Sequence, residues 1–178
     1  MKSYMQRIMT VLNTMVAIFF ISTASIVIAG SHGDHSGDKH QSHDNNPATN
    51  NGLVIIKSNH TVIDTADKLE ALVTKKGMTV FARIDHSAGA KKVEKSLRPT
   101  ELIIFGNPKV GTPLMQCEQS IAIDLPQKML IWEDSEGVTW LGYNDPQHLK
   151  QRHQVSGCDH IFKKITGALR KFATAASQ

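Results

Sequence analysis

The chain has 178 residues, of which 40% are apolar and 20% charged, and its net charge is +4. These are the proportions of a globular protein, and the length leaves room for one domain once terminal segments are set aside. The surplus of charge is mild, and the two Trp, two Tyr and six Phe lie mostly within apolar runs. That argues against nucleic acid as a partner, because such binders concentrate basic residues on one stripe and interleave aromatics for stacking.

Lys2 and Arg7 precede an apolar stretch from Ile8 to Ala29. A basic start, an apolar middle and a small residue at the exit are the marks of a secretory signal. Two exits are usable, after Ser22-Thr23-Ala24 or after Val27-Ile28-Ala29. The stretch is nearly long enough to span a bilayer uncut, since about 20 apolar residues suffice. Asn13, Thr14, Ser22, Thr23 and Ser25 dilute it, which favours cleavage. Positive charge stays on the cytoplasmic side, so either fate carries the rest of the chain across. The expected location is the periplasm, with membrane contact only through residues 8–29 if they are retained.

Residues 30–52 contain no Leu, Ile, Val, Phe, Trp or Tyr. Such a stretch buries too little surface to offset the entropy of ordering it and is expected to be a disordered linker. Its histidines are His32, His35, His40 and His43, interleaved with Asp34, Asp38 and Asp44. Neutral imidazole is the commonest transition-metal ligand, and the two H-x-x-H spacings suit chelation of Zn, Ni or Cu. The same residues also make a solvated spacer, and without Cys or fixed geometry the pattern does not choose between the two.

From Leu53 to Gln178 the pattern is that of one α+β domain. Leu53-Val54-Ile55-Ile56-Lys57 is a β-rich run. Thr61 and Asp64 stand in capping-box spacing, and Val62, Ala66, Leu69 and Val73 follow at helical intervals. Gly77 sits where a left-handed C-terminal cap belongs. Met78, Val80, Ala82 and Ile84 alternate as in a strand with one buried face, and Ser87 to Lys95 reads as a short helix. Leu102-Ile103-Ile104-Phe105 suits a central strand. Thr112-Pro113 offers a cap followed by proline at the first helical position, predicting a short helix to about Cys117. Met129–Trp132 and Val138–Tyr143 read as strands joined by a hairpin at Asp134-Ser135-Glu136-Gly137. Asp145-Pro146 repeats the cap-plus-proline start. Ile161, Ile165, Ala168, Leu169 and Phe172 form one face of a long terminal helix, with Lys163, Lys164, Arg170 and Lys171 on the other. Mixed order with a hairpin implies an antiparallel-rich sheet with helices on one face.

The stretch from Phe105 to Met115, FGNPKVGTPLM, resembles the signature of the bacterial domain-of-unknown-function family 302. Ile84-Asp85-His86, Leu97-Arg98-Pro99-Thr100, Asp124-Leu125-Pro126, Trp132-Glu133-Asp134 and Tyr143-Asn144-Asp145-Pro146 support it in order and spacing. The resemblance implies a TATA-binding-protein-like shape, a curved sheet under a long C-terminal helix in β-α-β(4)-α order, and a homodimer. It implies no reaction. Cys117 and Gln127 depart from the family pattern, so any cysteine chemistry belongs to this chain alone.

Two groups of residues are candidates for a site. The Asn107–Met115 loop leaves a strand and opens a helix, and with Gly111, Thr112 and Met115 it offers N–H groups able to hold an anion or a carbonyl oxygen. The same residues also serve a tight turn closed by a helix cap. Asp85 and His86 end a strand; His86 suits a general base or an extra metal ligand, and Asp85 equally suits a cap. Cys117 and Cys158 are an even pair in an oxidising compartment. They form either an intrachain bridge or a small buried residue and a thiol open to pairing between subunits. No G-x-S-x-G, Walker or dinucleotide motif is present. The leading expectation is a non-enzymatic periplasmic domain that binds or senses a small ligand. The rivals are metal handling through the linker and an enzyme using His86 beside the Asn107–Thr112 loop.

Overall fold

The computed structural model describes residues 51–178. The export segment and the histidine-rich linker, including His32, His35, His40 and His43, lie outside the described residues. Five strands, β1 (Leu53–Lys57), β2 (Thr79–Asp85), β3 (Thr100–Gly106), β4 (Gln127–Glu133) and β5 (Thr139–Asn144), form one sheet in the order β1-β5-β4-β3-β2. Every neighbouring pair is antiparallel. The helices are α1 (Val62–Lys75), α2 (His86–Lys91), α3 (Pro108–Cys117), α4 (Pro146–Arg152) and α5 (Asp159–Ser177), with a 3-10 helix at Gln119–Asp124. This is the α+β architecture anticipated from the sequence, a curved antiparallel sheet under a long terminal helix.

Local chemistry explains most of the boundaries. The Thr61 hydroxyl accepts the Asp64 N–H at 3.2 Å and donates to the Asp64 carboxylate at 2.7 Å, which closes the first turn of α1. Gly77 ends that helix at φ +73°, and Met78 N–H reaches back to the Val73 carbonyl at 3.0 Å. Between β4 and β5 the Asp134 carboxylate accepts the N–H groups of Glu136 and Val138 and the indole N–H of Trp140. One side chain thereby holds the hairpin turn.

The core lies between the sheet and the pair α1 and α5. Along β3, Glu101, Ile103 and Phe105 are buried, while Leu102 and Ile104 are half-buried on the opposite face. From α1 the residues Ala66, Leu69 and Val73 are inaccessible to solvent, and α5 adds Ile161, Phe162, Ile165, Leu169 and Phe172. Each fully buried Leu or Phe contributes about 2 kcal/mol by removal from water. Phe105 and Phe172 meet edge to face with centroids 6.1 Å apart, a preferred geometry for two rings.

Two local expectations are corrected, and one element was not anticipated. The alternation Met78, Val80, Ala82, Ile84 does not bury one face, because a bulge shifts the register between Val80 and Ala82. Phe81 is the extra residue, so Val80 pairs with Phe105 whereas Ala82 pairs with Ile104 and Ile84 with Leu102. Helix α3 begins at Pro108 with Asn107 as its cap, so Thr112 is not a cap and Pro113 falls inside the helix. The 3-10 helix at Gln119–Asp124 has too short an apolar pattern to be recognised in the sequence.

Candidate functional site

Where β3 gives way to α3, the chain builds one side of an apolar pocket. Gly106 lets the chain pass close to its neighbours there, since a Cβ would lie 3.3 Å from Pro126 Cβ, a tight contact, and 3.5 Å from the Phe81 ring. The Asn107 side chain accepts the Lys109 N–H at 2.9 Å and donates to the Gly77 carbonyl at 3.4 Å, joining the start of α3 to the end of α1. The Val110 and Gly111 N–H groups both go to the Asn107 carbonyl, at 2.9 and 3.0 Å. Pro108 has no N–H to offer. The first turn of α3 therefore satisfies its own donors, and the expectation of an anion held by these N–H groups is corrected.

The pocket has a volume of about 260 Å³. Phe105, Ile165, Leu169 and Phe172 line its buried part, while Val110, Gly111, Thr112 and Met115 of α3 form one wall. The segment Leu125-Pro126-Gln127 and the bulged Phe81 supply the rest of the rim. Phe81 is 54% exposed, a large ring left open to water at the edge of an apolar hollow. Lys164 of α5 is the single charged residue of the lining. Cys117, the last residue of α3, is bridged to Cys158, the cap of α5, with Cα atoms 6.7 Å apart. The bridge ties together the two helices that wall the pocket.

The sequence-derived candidates divide. Asn107, Gly111, Thr112 and Met115 all line the pocket. Asp85 and His86 do not. In the β2–β3 ladder Thr79 pairs with Gly106 and Asp85 with Glu101, so Asp85 and Asn107 lie at opposite ends. At about 3.3 Å per residue that is a separation of about 20 Å. An enzyme combining His86 with the Asn107–Thr112 loop is thus corrected by the register. Asp85 caps α2, accepting the Ser87 hydroxyl at 2.6 Å and the Ala88 N–H at 2.8 Å. These bonds, the hydroxyl first, hold its carboxyl below the ordinary carboxylate range.

Among the pocket residues not named as candidates in the sequence are Phe81, Pro126, Lys164 and Ala168, with the core positions Leu169 and Phe172. Ala168, Leu169 and Phe172 were visible in the sequence only as part of the apolar stripe of α5, which reads equally as core.

A second cluster went unrecognised. His153 lies with Nε2 2.6 Å from the Asp124 carboxylate and Nδ1 3.1 Å from the Ser120 hydroxyl. Serine, histidine and aspartate in a row are the parts of an acyl-transfer site. Here, however, the Ser120 N–H is taken by the Glu118 carboxylate at 2.9 Å. That bond, with the Ser120 hydroxyl, pulls the Glu118 carboxyl below its ordinary value. A carboxylate on the serine's own N–H opposes the developing oxyanion that such chemistry requires stabilised. The cluster fastens α4 to the 3-10 helix.

The expectation of bound Zn, Ni or Cu is also corrected: among the described residues no group of three or more His, Cys, Asp or Glu side chains comes together to hold a metal ion. Nor is any helix among the described residues long and apolar enough to cross a membrane.

An antiparallel sheet with an apolar pocket between a capped loop-to-helix turn and a long C-terminal helix defines a class of small α+β domains. Residues 54–172 match the family model described as "Domain of unknown function DUF302", and the chain belongs to that family. In fold it is similar to the crystal structure of an uncharacterized conserved DUF302 protein from Bacillus stearothermophilus, with a TM-score of 0.64 at 15% identity. The match covers 71% of this chain and 98% of that one. Among curated proteins it is 46% identical over 126 residues to the "Fluoride-specific ion channel FluC 1" of Brucella suis biovar 1, covering 68% of this chain and 50% of that protein. The "Fluoride-specific ion channel FluC 1" of Brucella abortus biovar 1 and the "Fluoride-specific ion channel FluC 2" of Brucella melitensis biotype 1 match at 46% identity, each covered to 47%. The chain thus spans about half the length of these curated relatives.

Proposed function

We propose that this DUF302 domain is a non-enzymatic, periplasmic binding domain whose ligand is a small molecule with a hydrocarbon body. One observation carries the reading: a pocket of about 260 Å³, almost wholly apolar, opens between α3 and α5. A cavity of roughly 150 Å³ accommodates benzene, so this one suits about ten non-hydrogen atoms on the same scale. The periplasmic part of the proposal rests on Lys2, Arg7 and the apolar stretch that follows them, and it agrees with the bridge between Cys117 and Cys158. The homodimer implied by the family resemblance belongs to the same proposal, and sedimentation of the purified protein checks it.

The test is calorimetric titration of the protein, as purified from the producing cell, with 1-octanol. Gly111 lines the pocket, and a Cβ added there meets nothing within 4 Å. Gly111→Leu therefore pushes a side chain toward the ligand's space without a backbone clash, and Leu is the better helix former. The expected result is binding by the native protein that Gly111→Leu abolishes. Equal binding by the two proteins, or none by either, refutes the reading.

The curated relatives favour a second reading. Each is called a fluoride-specific ion channel, and about half of each resembles this chain. On this reading the domain is the accessory part of a fluoride-export system, working beside a channel. Its apolar pocket makes fluoride itself a poor ligand, so the link is one of shared assembly. Deleting this protein should raise fluoride sensitivity of the producing cell; unchanged sensitivity removes this reading and leaves the first standing.

A further inference from the structure

We propose that the pocket selects an amphipathic anion: a carboxylate on a hydrocarbon body, with the Lys164 ammonium holding the head group. The inference rests on the pocket reading above and names its ligand class. Lys164 lines the pocket yet is exposed to solvent, which puts its ammonium at the mouth. No acidic residue shares the lining, so nothing within the pocket neutralises that charge.

The arrangement is that of a long cationic side chain whose methylene stem runs over an apolar wall while its head stays in water. Among the described residues Lys164 has no hydrogen-bond or ion-pair partner, in contrast to Lys150, which is paired with Asp159. Asn107, Thr112 and Gln127 are the uncharged polar members of the lining. The Asn107 side chain is already committed to Lys109 and Gly77. A cationic or purely apolar ligand would leave the Lys164 ammonium unmatched at the mouth. A carboxylate pairs with it, and its hydrocarbon tail fills the space between Phe105, Leu169 and Phe172.

Octanoate has the volume argued above, about ten non-hydrogen atoms on the benzene scale, and 1-octanol is its neutral counterpart. The experiment titrates both into the protein as purified from the producing cell, at neutral pH, and into Lys164→Met and Lys164→Arg. Octanoate is expected to bind about tenfold more tightly than 1-octanol, the effect of one charge-assisted contact. Lys164→Met is expected to level the two ligands, and Lys164→Arg to restore the difference. Salt should weaken octanoate alone, because only its contact is ionic. Equal binding of both ligands to the native protein, abolished by Gly111→Leu, overturns the head-group inference and leaves the pocket reading intact. Binding of neither ligand overturns both. Circular dichroism of each variant verifies the fold, and the exposed position of Lys164 makes misfolding a weak alternative.

Discussion

Replacing Cys117 and Cys158 by Ala removes the one covalent tie between α3 and α5. The bridge joins positions 41 residues apart in sequence, with Cα atoms 6.7 Å apart, inside the distance that an unstrained backbone can bridge. Chain-entropy reasoning for a loop of that length assigns it about 4 kcal/mol, through restriction of the unfolded chain. For a domain of about 130 residues, whose unfolding entropy makes 1 kcal/mol worth about 4 °C, the double variant should melt about 15 °C lower. A second substitution at the same position separates backbone from bridge. Cys158 adopts a left-handed conformation, φ 57°, and makes no side-chain cap bond to α5. Glycine takes that conformation without the Cβ penalty, so Cys117→Ala with Cys158→Gly should recover about 1 kcal/mol relative to the double alanine variant. Calorimetric and urea unfolding, with and without reductant, measures both quantities. Reductant should lower the melting temperature of the native protein and leave both variants unchanged. Two alkylatable thiols in the native, unreduced protein, or a double variant that melts within 3 °C of it, would refute the reasoning.

Arg83 bonds to Glu101 at 2.5 Å, where the Glu101 side chain is only 9% exposed, and also reaches Asp67 and Glu70 of α1. The Glu101 bond is the largest cause of the raised affinity of that guanidinium for its proton. Arg83→Ala leaves a buried carboxylate without its partner and should cost about 2–3 kcal/mol in urea unfolding; Arg83→Ala with Glu101→Leu should recover part of the loss. The Asp134 carboxyl lies below its ordinary 3.8, chiefly through the Trp140 indole N–H and then the Val138 N–H. The unfolded chain then takes up its proton first as pH falls, so stability is present above about pH 4 and is lost below it. Asp134→Asn should flatten this acid limb, and an unaltered slope between pH 5 and 2 would count against the assignment. Tyr143 is pushed up to about 12, mainly by burial and then by Asp145, with Arg170 opposing. Its phenol stays neutral in the folded state after the unfolded chain has ionised, so its contribution is full below about pH 10 and fades as pH rises to about 12. Absorbance at about 295 nm should show its ionisation well above that of free tyrosine, and a midpoint near pH 10 would contradict its burial.

Much of the fold follows from local physics that a linear pattern displays. The Thr61–Asp64 cap, the left-handed Gly77, the hairpin at Asp134 and the apolar stripe of α5 each involve residues within a few positions of one another. Their hydrogen bonds and packing faces recur wherever that spacing recurs, so helices α1 and α5 and the β4–β5 pair are readable directly. The cap of α3 was harder. Asn107-Pro108 and Thr112-Pro113 are equally good local starts, and the choice fell to Asn107 because it also ties to the Gly77 carbonyl, 30 residues away.

The pocket belongs to the other category. Its walls come from β2, β3, α3, the 3-10 helix with Leu125-Pro126, and α5, segments that meet only once the sheet is assembled. Ile165, Leu169 and Phe172 repeat at helical intervals whether they seal a core or line a hollow, because periodicity reports which face is apolar and not how completely it is covered. The bulge that turns Phe81 to the rim breaks the two-residue alternation, and a bulge is set by the partner strand. The union of Cys117 with Cys158 likewise required the two helix ends to approach, a distance no spacing encodes. The chain's own pattern therefore determined most of its elements and their order. Tertiary contacts alone decided that Asp85 and His86 stand apart from Asn107, and that Lys164 faces an apolar opening.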